Sequence, residues 1–287
     1  MMKSLVPWWT KIALKTVWSR LPLQYSFWRK VGLFKHGLME NPTYVSNVFA
    51  RHWDRVAFPS KESGCIAMEL GCGDSLASCQ IAAAHHVSKY YLVDAGQYAS
   101  MDIDLYKSVA KKLRFKGDAI PEMDDCGSVQ EMLQLMNAEY LTGGLRSLQS
   151  IKSKSVDFVW SQAVLEHVRR AEFPETMREL RRILRDDGVM SHRVDLRDHL
   201  SAALNNLRFP AWVWESPFMA NSGFYTNRIQ YGEMVECMRS AGFDVQVLNL
   251  ERWNTLPTPR HRMAREFRSV PDDDLLVSGF DVVLRPI

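Results

Sequence analysis

The apolar residues of this chain fall into short runs, and the spacing between runs predicts the fold. Cys65–Leu70 is six residues of near-continuous hydrophobicity, interrupted by one carboxylate, Glu69, and closed by a glycine turn at Gly71 and Gly73. In the next segment Leu76, Ala77, Ile81 and Ala84 keep helical spacing, and Tyr90–Val93 is a second run, closed by Asp94. Strand, glycine turn, helix and strand with a terminal acid make one βαβ unit of a parallel sheet. Val156–Trp160 predicts a further strand, followed by a helix from about Ala163. Pro174–Leu184 places Met177, Leu180 and Leu184 on one helical face, with arginines opposite. The DDG at Asp186–Gly188 predicts the end of that helix, and Val189–Val194 alternates as a strand does. Met234–Ala241 predicts a helix stopped by Gly242, then strands over Val245–Leu250 and Leu276–Leu284.

The sum is an α/β fold, doubly wound around a mainly parallel sheet. Residues 1–60 are expected to form a helical extension or cap, and residues 61–287 the main domain. Inserts are expected near 120–148, 201–230 and 255–272. The second contains WVWESPF and GFYTNR, and the third is marked by proline and arginine. In such sheets ligands bind beyond the carboxyl ends of the strands, so these inserts are expected to roof a site.

Composition narrows the picture. With 287 residues and 46% hydrophobic content the chain can bury a substantial core. A net charge of +3, with no lysine/arginine block in the body, argues against a nucleic-acid surface. The five cysteines form no CxxC pair, which predicts free thiols rather than a disulfide framework or structural zinc, and a reducing, cytoplasmic setting. Residues 1–39 differ from the rest. They contain Lys3, Lys11, Lys15, Arg20, Arg29, Lys30 and Lys35, four tryptophans, and no acid before Glu40. No apolar run there approaches the roughly 20 residues that span a bilayer. Leu5, Trp9, Ile12, Thr16 and Val17 share one helical face, a pattern that suits peripheral contact with an anionic membrane, packing on the domain, or a homodimer partner.

The glycine turn is the first piece of chemistry. The nicotinamide fingerprint GxGxxG ends in a glycine, whereas Leu76 stands at that position here. Asp74 at the helix start would also repel a pyrophosphate. Carboxylates such as Glu69 and Asp74 are better neighbours for a sulfonium or an amino-acid ammonium. In order, AMELGCG, YYLVDA, KGDAI, SVDFVWSQAVLEHV and MRELRRILRDDGVM closely resemble the class I S-adenosylmethionine-dependent methyltransferases, with a seven-stranded sheet. The resemblance implies that Glu69, Gly71 and Gly73 line the methionine portion of S-adenosylmethionine. It implies that Asp94 accepts from the ribose hydroxyls, that Asp118 and the Ala119 amide face the adenine edge, and that Ser161 and Gln162 flank the methyl-donor end. One departure is Ser75, where the family often has a third glycine.

Methyl transfer from a sulfonium is an in-line displacement in which the leaving group needs no proton, so alignment supplies much of the catalysis. A hydroxyl acceptor gains from a general base. SHRVDLRDHL puts His192, Asp195, Asp198 and His199 within eight residues, at and beyond a strand end. His192 or His199 is the expected base, oriented by Asp195 or Asp198. The spacing is no recognised metal signature, and no metal ligand is assigned. Glu166 and His167 in LEHV are expected to brace the site. SHRVDLRDHL, the WESPF and GFYTNR insert and the closing SGFDVVLRPI resemble bacterial methyltransferases of surface-glycan biosynthesis, which implies a sugar hydroxyl on a small or carrier-linked glycan acceptor. Trp212, Trp214 and Tyr225 would then stack on sugar rings while Glu215, Asn227 and Arg228 hold hydroxyls or phosphate. A lipid, quinone or other small metabolite is the alternative acceptor, and a noncatalytic scaffold is the non-enzyme alternative.

Overall fold

A computed structural model describes Trp9, Thr10, Ile12 and residues 38–287. The amphipathic face expected over residues 5–17 lies largely outside them. Among the described residues no helix is long and apolar enough to cross a membrane.

The first described helix, α1 (Pro42–Asp54), begins with Pro42 behind an Asn41 cap, whose side chain accepts from the Thr43 and Tyr44 amides. Its buried residues Val45, Val48, Phe49, His52 and Trp53 recur at helical spacing and form one stripe. That stripe lies on the sheet. Phe49 meets Trp160 edge-on at 6.0 Å between ring centroids, and Trp53 meets Phe158 in the same way at 5.5 Å. The expected boundary near residue 60 is therefore not a boundary in the core, because α1 is part of the main domain.

The elements then alternate as the apolar runs predict: β1 (Ile66–Leu70), α2 (Ser78–Ala84), β2 (Lys89–Val93), α3 (Ile103–Phe115), α4 (Val129–Leu135), β3 (Ala138–Leu141), α5 (Leu145–Ser150) and β4 (Val156–Gln162). After β4 come α6 (Phe173–Ile183), β5 (Leu184–Asp195), short helices α7 (Ala211–Trp214) and α8 (Pro217–Ala220), α9 (Tyr231–Ser240), β6 (Phe243–Arg252), α10 (Asp272–Leu275) and β7 (Val277–Pro286). The seven strands stand in the order β3-β2-β1-β4-β5-β7-β6. Neighbours from β3 to β5 are parallel, and β7 runs antiparallel to both β5 and β6.

Both faces are covered, so the central strands are near-continuous apolar runs. Ala67, Phe158 and Trp160 point into the cluster beneath α1, α2 and α3, while Met68, Leu70 and Val159 join Phe173, Met177 and Met234 on the opposite face.

Three expectations need correction. The stretch 120–148 is not an insert, since it carries α4 and the edge strand β3. No α-helix starts near Ala163; a single 3-10 turn, Leu165–His167, precedes α6. The DDG lies inside β5, where the pairing passes from Leu184 to Val189 across an outward irregularity.

Because Phe49 is fully buried between Trp53, His85 and Trp160, Phe49→Ala is expected to cost about 3–5 kcal/mol. Urea denaturation measures this, and a loss below roughly 1 kcal/mol would mean that α1 does not belong to the core.

Candidate active site

The glycine turn leaves β1 with Gly71 at φ +77° and Gly73 at φ +59°, conformations that L side chains rarely adopt. Gly71 has a second reason to be glycine. A Cβ there would stand 2.4 Å from the Val164 side chain. At the end of β2, Asp94 accepts from the Gly73 amide at 2.8 Å and from the Ala95 amide at 2.7 Å, one on each carboxylate oxygen. The oxygen that takes the Gly73 amide also faces the Cys72 thiol at 3.7 Å.

Glu69 is placed differently from the expectation. It is buried beneath the turn, accepts from the Ser78 hydroxyl and faces Tyr90. Burial pushes its carboxyl up to about 8. It therefore supports the turn from below and does not line an open surface. Asp118 and Ala119 are also displaced, because they follow the far end of α3. The Asp118 amide donates to Leu113, and its charge is felt by His85 at the end of α2. Both helices end at the amino edge of the sheet, opposite Asp94. The end of β3 is instead Leu141, Thr142, Gly143 and Gly144, with no carboxylate.

Beyond β4 the chain makes a sharp change of direction. Ala163 has φ +55°, the left-handed conformation that a non-glycine residue adopts at a cost of about 1–3 kcal/mol. Ser161 and Gln162 point to opposite faces. The Ser161 hydroxyl meets His192 Nδ1 at 2.7 Å in the buried layer below. Gln162 reaches the other face, where its Oε1 lies 3.1 Å from His52 Nε2.

A cavity of about 540 Å³ opens beside Gln162 and Ala163. Its walls are unusually charged and include Arg51, Arg193, Asp195, Arg197, Glu251 and Asp281. Asp281 is ion-paired with Arg55 at 2.8 Å and with Arg193 at 3.4 Å, and Arg193 also meets Glu251 at 2.6 Å. Burial raises the Asp281 carboxyl, but the Arg55 hydrogen bond and charge outweigh it and hold the group below the usual carboxylate range. Arg55 also donates to the Ser191 hydroxyl at 2.7 Å and to His52 Nδ1 at 2.8 Å. Burial, reinforced by Arg55, drives His52 down to about 3. The ring is neutral, and with Nδ1 accepting from Arg55 its proton sits on Nε2, aimed at Gln162.

The four residues of the SHRVDLRDHL cluster separate. His192 is fully buried in β5, driven down to about 3 by burial and then Arg55, and cannot reach the cavity as a base. Asp198 is consumed in folding its own loop, accepting from the amides of Leu200, Ser201, Ala203 and Asn205 and from the Asn205 side chain. Asp195 lines the cavity but is clamped by Arg197 at 2.8 and 2.6 Å. Burial raises its carboxyl, and the Arg197 bonds more than reverse that. His199 is exposed, and its ring stacks on His167 with centroids 4.8 Å apart.

Residues 201–230, the expected roof, supply none of the residues that wall this cavity and cover the LEHV turn instead. Asn227 donates to the Leu165 and Val168 carbonyls, and its amide donates to Glu166, so the LEHV turn is pinned from above. Trp214 and Tyr225 are not sugar-stacking platforms. Both are buried in the roof's own core, with the Trp214 Nε1 donating to Thr226 and the Tyr225 hydroxyl donating to Glu215. Arg228 is likewise buried, bonded to the Phe209 carbonyl and to Glu215. Trp212 alone of the three aromatics is exposed.

Sequence reasoning missed His52, Arg55, Arg193, Glu251 and Asp281. They are spread along the chain from residue 52 to residue 281, and only the packing of α1 on the sheet and the sheet register bring them together. A charged residue inside the otherwise apolar GFDVVL run was the available signal.

Residues 68–191 match the protein family described as methyltransferase domain. No curated protein matches the chain in sequence. Solved structures with a similar course include the methyltransferase in complex with the Trm112 activator from Haloferax volcanii, at 17% identity and TM-score 0.46, covering 93% of this chain and 99% of that one. Another is an S-adenosylmethionine-dependent methyltransferase from Mesorhizobium loti, at 16% identity and TM-score 0.42, covering 78% and 92%. A third is an arsenic(III) S-adenosylmethionine methyltransferase from Chlamydomonas reinhardtii, at 17% identity and TM-score 0.43, covering 86% and 70%. The seven-stranded sheet with its flanking helices is the class I methyltransferase fold.

The state of Glu69 makes a prediction. Its carboxyl is raised from 4.5 to about 8 in the folded chain, so the folded state keeps a proton that the unfolded state loses. The resulting stability is complete below the unfolded value and is lost as pH rises through about 8. Glu69→Gln has no proton to lose. Thermal melts at about pH 5 and pH 9 are expected to show the variant gaining on the wild-type chain at the higher pH, by up to a few kcal/mol at about 1.4 kcal/mol per pH unit. A gap that does not move with pH would mean that Glu69 is ionised in the fold.

Proposed function

We propose that this chain, which has the class I methyltransferase fold, transfers a methyl group from S-adenosylmethionine to a hydroxyl of a small or carrier-linked glycan. The observation that carries the donor half is Asp94, held by the Gly73 and Ala95 amides beside a turn of two left-handed glycines. This arrangement fits a ribose-bearing donor, with Asp94 accepting from the sugar hydroxyls and Gly71 and Gly73 giving close backbone approach. The adenine end would meet the backbone of Thr142–Gly144, since Asp118 is at the other edge of the sheet. S-adenosylmethionine supplies an electrophilic methyl on a sulfonium, whose departure needs no proton.

The acceptor half rests on the cavity. A lipid or quinone ring calls for an apolar tunnel, whereas this cavity is walled by arginines and carboxylates at the end of β4. Such walls suit a polyhydroxylated acceptor, and Arg51 adds a cation suited to one that carries phosphate. A glycan on a lipid carrier would be met at a membrane, which agrees with the basic, tryptophan-bearing sequence of residues 1–39 and a location at its cytoplasmic side. With His192 sealed and Asp198 engaged in its loop, the groups left near the end of β5 to assist the hydroxyl are Asp195 and His199.

The test supplies methyl-labelled S-adenosylmethionine and separated fractions of nucleotide sugars, lipid-linked glycans, lipids, protein and nucleic acid. Label in a glycan fraction, released as methylated sugar on hydrolysis, is the expected result. Label in a glycan-free lipid would overturn the acceptor. Calorimetric titration of Asp94→Ala with the donor is expected to show affinity reduced by about tenfold or more, since hydrogen bonds to a charged group are worth about 1.5–3 kcal/mol. Unchanged affinity would overturn the donor site.

A further inference from the structure

Glu166, His167 and His199 present ligand atoms that all lie within 4.8 Å of one another. They come from two separate segments, the 3-10 turn after β4 and the loop after β5. His167 Nδ1 lies 2.8 Å from the Tyr225 carbonyl, which can only accept, so that nitrogen carries the proton and the Nε2 lone pair faces His199. His199 Nε2 donates to His167 Nε2 at 3.0 Å, a bond that an ion between the two rings would replace. Two nitrogens bound to one ion at about 2.1 Å and at right angles would be about 3.0 Å apart. Glu166 is 1% exposed, and its Oε1 accepts from the Asp195 amide at 3.3 Å. Its Oε2 is buried with no hydrogen-bond partner among the described residues. A buried carboxylate oxygen left unpartnered is costly, and a cation is one of the few groups that compensates it.

We propose that Glu166, His167 and His199 form a site for a divalent transition-metal ion, with open coordination positions beside the acceptor cavity. Two imidazoles and one carboxylate suit manganese, iron, cobalt or zinc rather than calcium or magnesium, which prefer all-oxygen sets. The Tyr225 carbonyl is the outer partner that fixes the His167 tautomer, as metal-bound histidines commonly require. Asp195 connects the two places, since its amide bonds Glu166 and its side chain lines the cavity. The ion therefore stands where it can hold an acceptor hydroxyl and lower that hydroxyl's pKa. This role rests on the methyltransferase reading, whereas the site itself does not. It also gives His199 a task other than general base.

The full chain, stripped with chelator and dialysed, is titrated with Co²⁺ while its visible d–d absorption and heat of binding are followed. One Co²⁺ per chain is expected, displaced by Zn²⁺. His167→Ala and His199→Ala, both at exposed positions, are each expected to weaken binding at least roughly tenfold, and Glu166→Gln likewise, with melting checked by circular dichroism. Asp273→Asn, an exposed acid on α10, should leave binding unchanged. Absence of Co²⁺ binding by the wild-type chain overturns the proposal, as does binding that none of the three ligand substitutions alters. Donor affinity is measured on the same samples. Co²⁺ binding without donor binding would remove the methyltransferase reading and leave the metal site, and donor binding without Co²⁺ binding would do the reverse.

Discussion

A carboxylate in the interior of a β-sheet has to be neutralised where it stands, and Asp281 imposes that constraint on this fold. It lies on β7, opposite Arg193 of β5 in the antiparallel register. Its oxygens are shared among Arg193, Arg55 and the Asn249 side chain of β6. Removing one partner from such a buried set costs several kcal/mol, because an uncompensated charge remains. The arrangement therefore holds together three strands and the segment after α1. It fixes which face of β5 looks toward the cavity, because a one-residue slip would send Arg193 to the opposite side of the sheet.

Arg55 is the reason that α1 cannot be a detachable cap. Its guanidinium spans Asp281, Ser191 and His52 and sits above the sheet next to the residues that wall the cavity. Burial, reinforced by the same cation, keeps His52 neutral, and the neutral ring faces Gln162. A chain of polar contacts thus runs from β7 through Arg55 and His52 to the end of β4. The floor of the proposed acceptor site consists of the groups that compensate Asp281, which explains why it is polar although it lies against the hydrophobic core. Asn227 and the Tyr225 carbonyl hold the LEHV turn from the other side, and the two sets of hydrogen bonds meet at Glu166, whose side chain accepts from the Asp195 amide and whose carbonyl accepts from the Asn227 amide.

The strands were legible where burial on both faces forced continuous apolar runs, as in Ala67–Leu70, Leu92–Val93 and Val156–Trp160. β3 escaped notice because an edge strand of four residues, AEYL, is only partly buried and carries no such run. Missing it had a consequence. With no strand read at 138–141, the resemblance put the adenine edge at Asp118 of KGDAI, which follows α3 at the opposite edge of the sheet. The glycine turn and Asp94 were readable because a backbone conformation and a strand terminus leave a local mark. The cavity was not, because its residues come from five parts of the chain and join only through register. In SHRVDLRDHL the composition was informative but the roles were not. Alternation along β5 buries His192, and the amide-rich loop after it claims Asp198, and neither outcome can be read from spacing.

The join between the glycine turn and the cavity falls on Gln162, Ala163 and Val164. Ala163 takes a left-handed conformation that its side chain disfavours, while its amide donates to the Arg193 carbonyl at 2.8 Å. That conformation turns the chain so that Val164 lies against Gly71 and Glu166 faces back toward Asp195. Gln162, one residue earlier, belongs to the cavity. Ala163 thus bonds the cavity floor at Arg193 and immediately precedes the side chain that rests on the glycine turn. Backbone strain persists only where surrounding contacts over-determine it, and here the β5 ladder on one side and the Asn227 clamp on the other supply those contacts. Ala163 therefore stands where the two surfaces meet, lining the cavity on one side and preceding the residue packed against the glycine turn on the other.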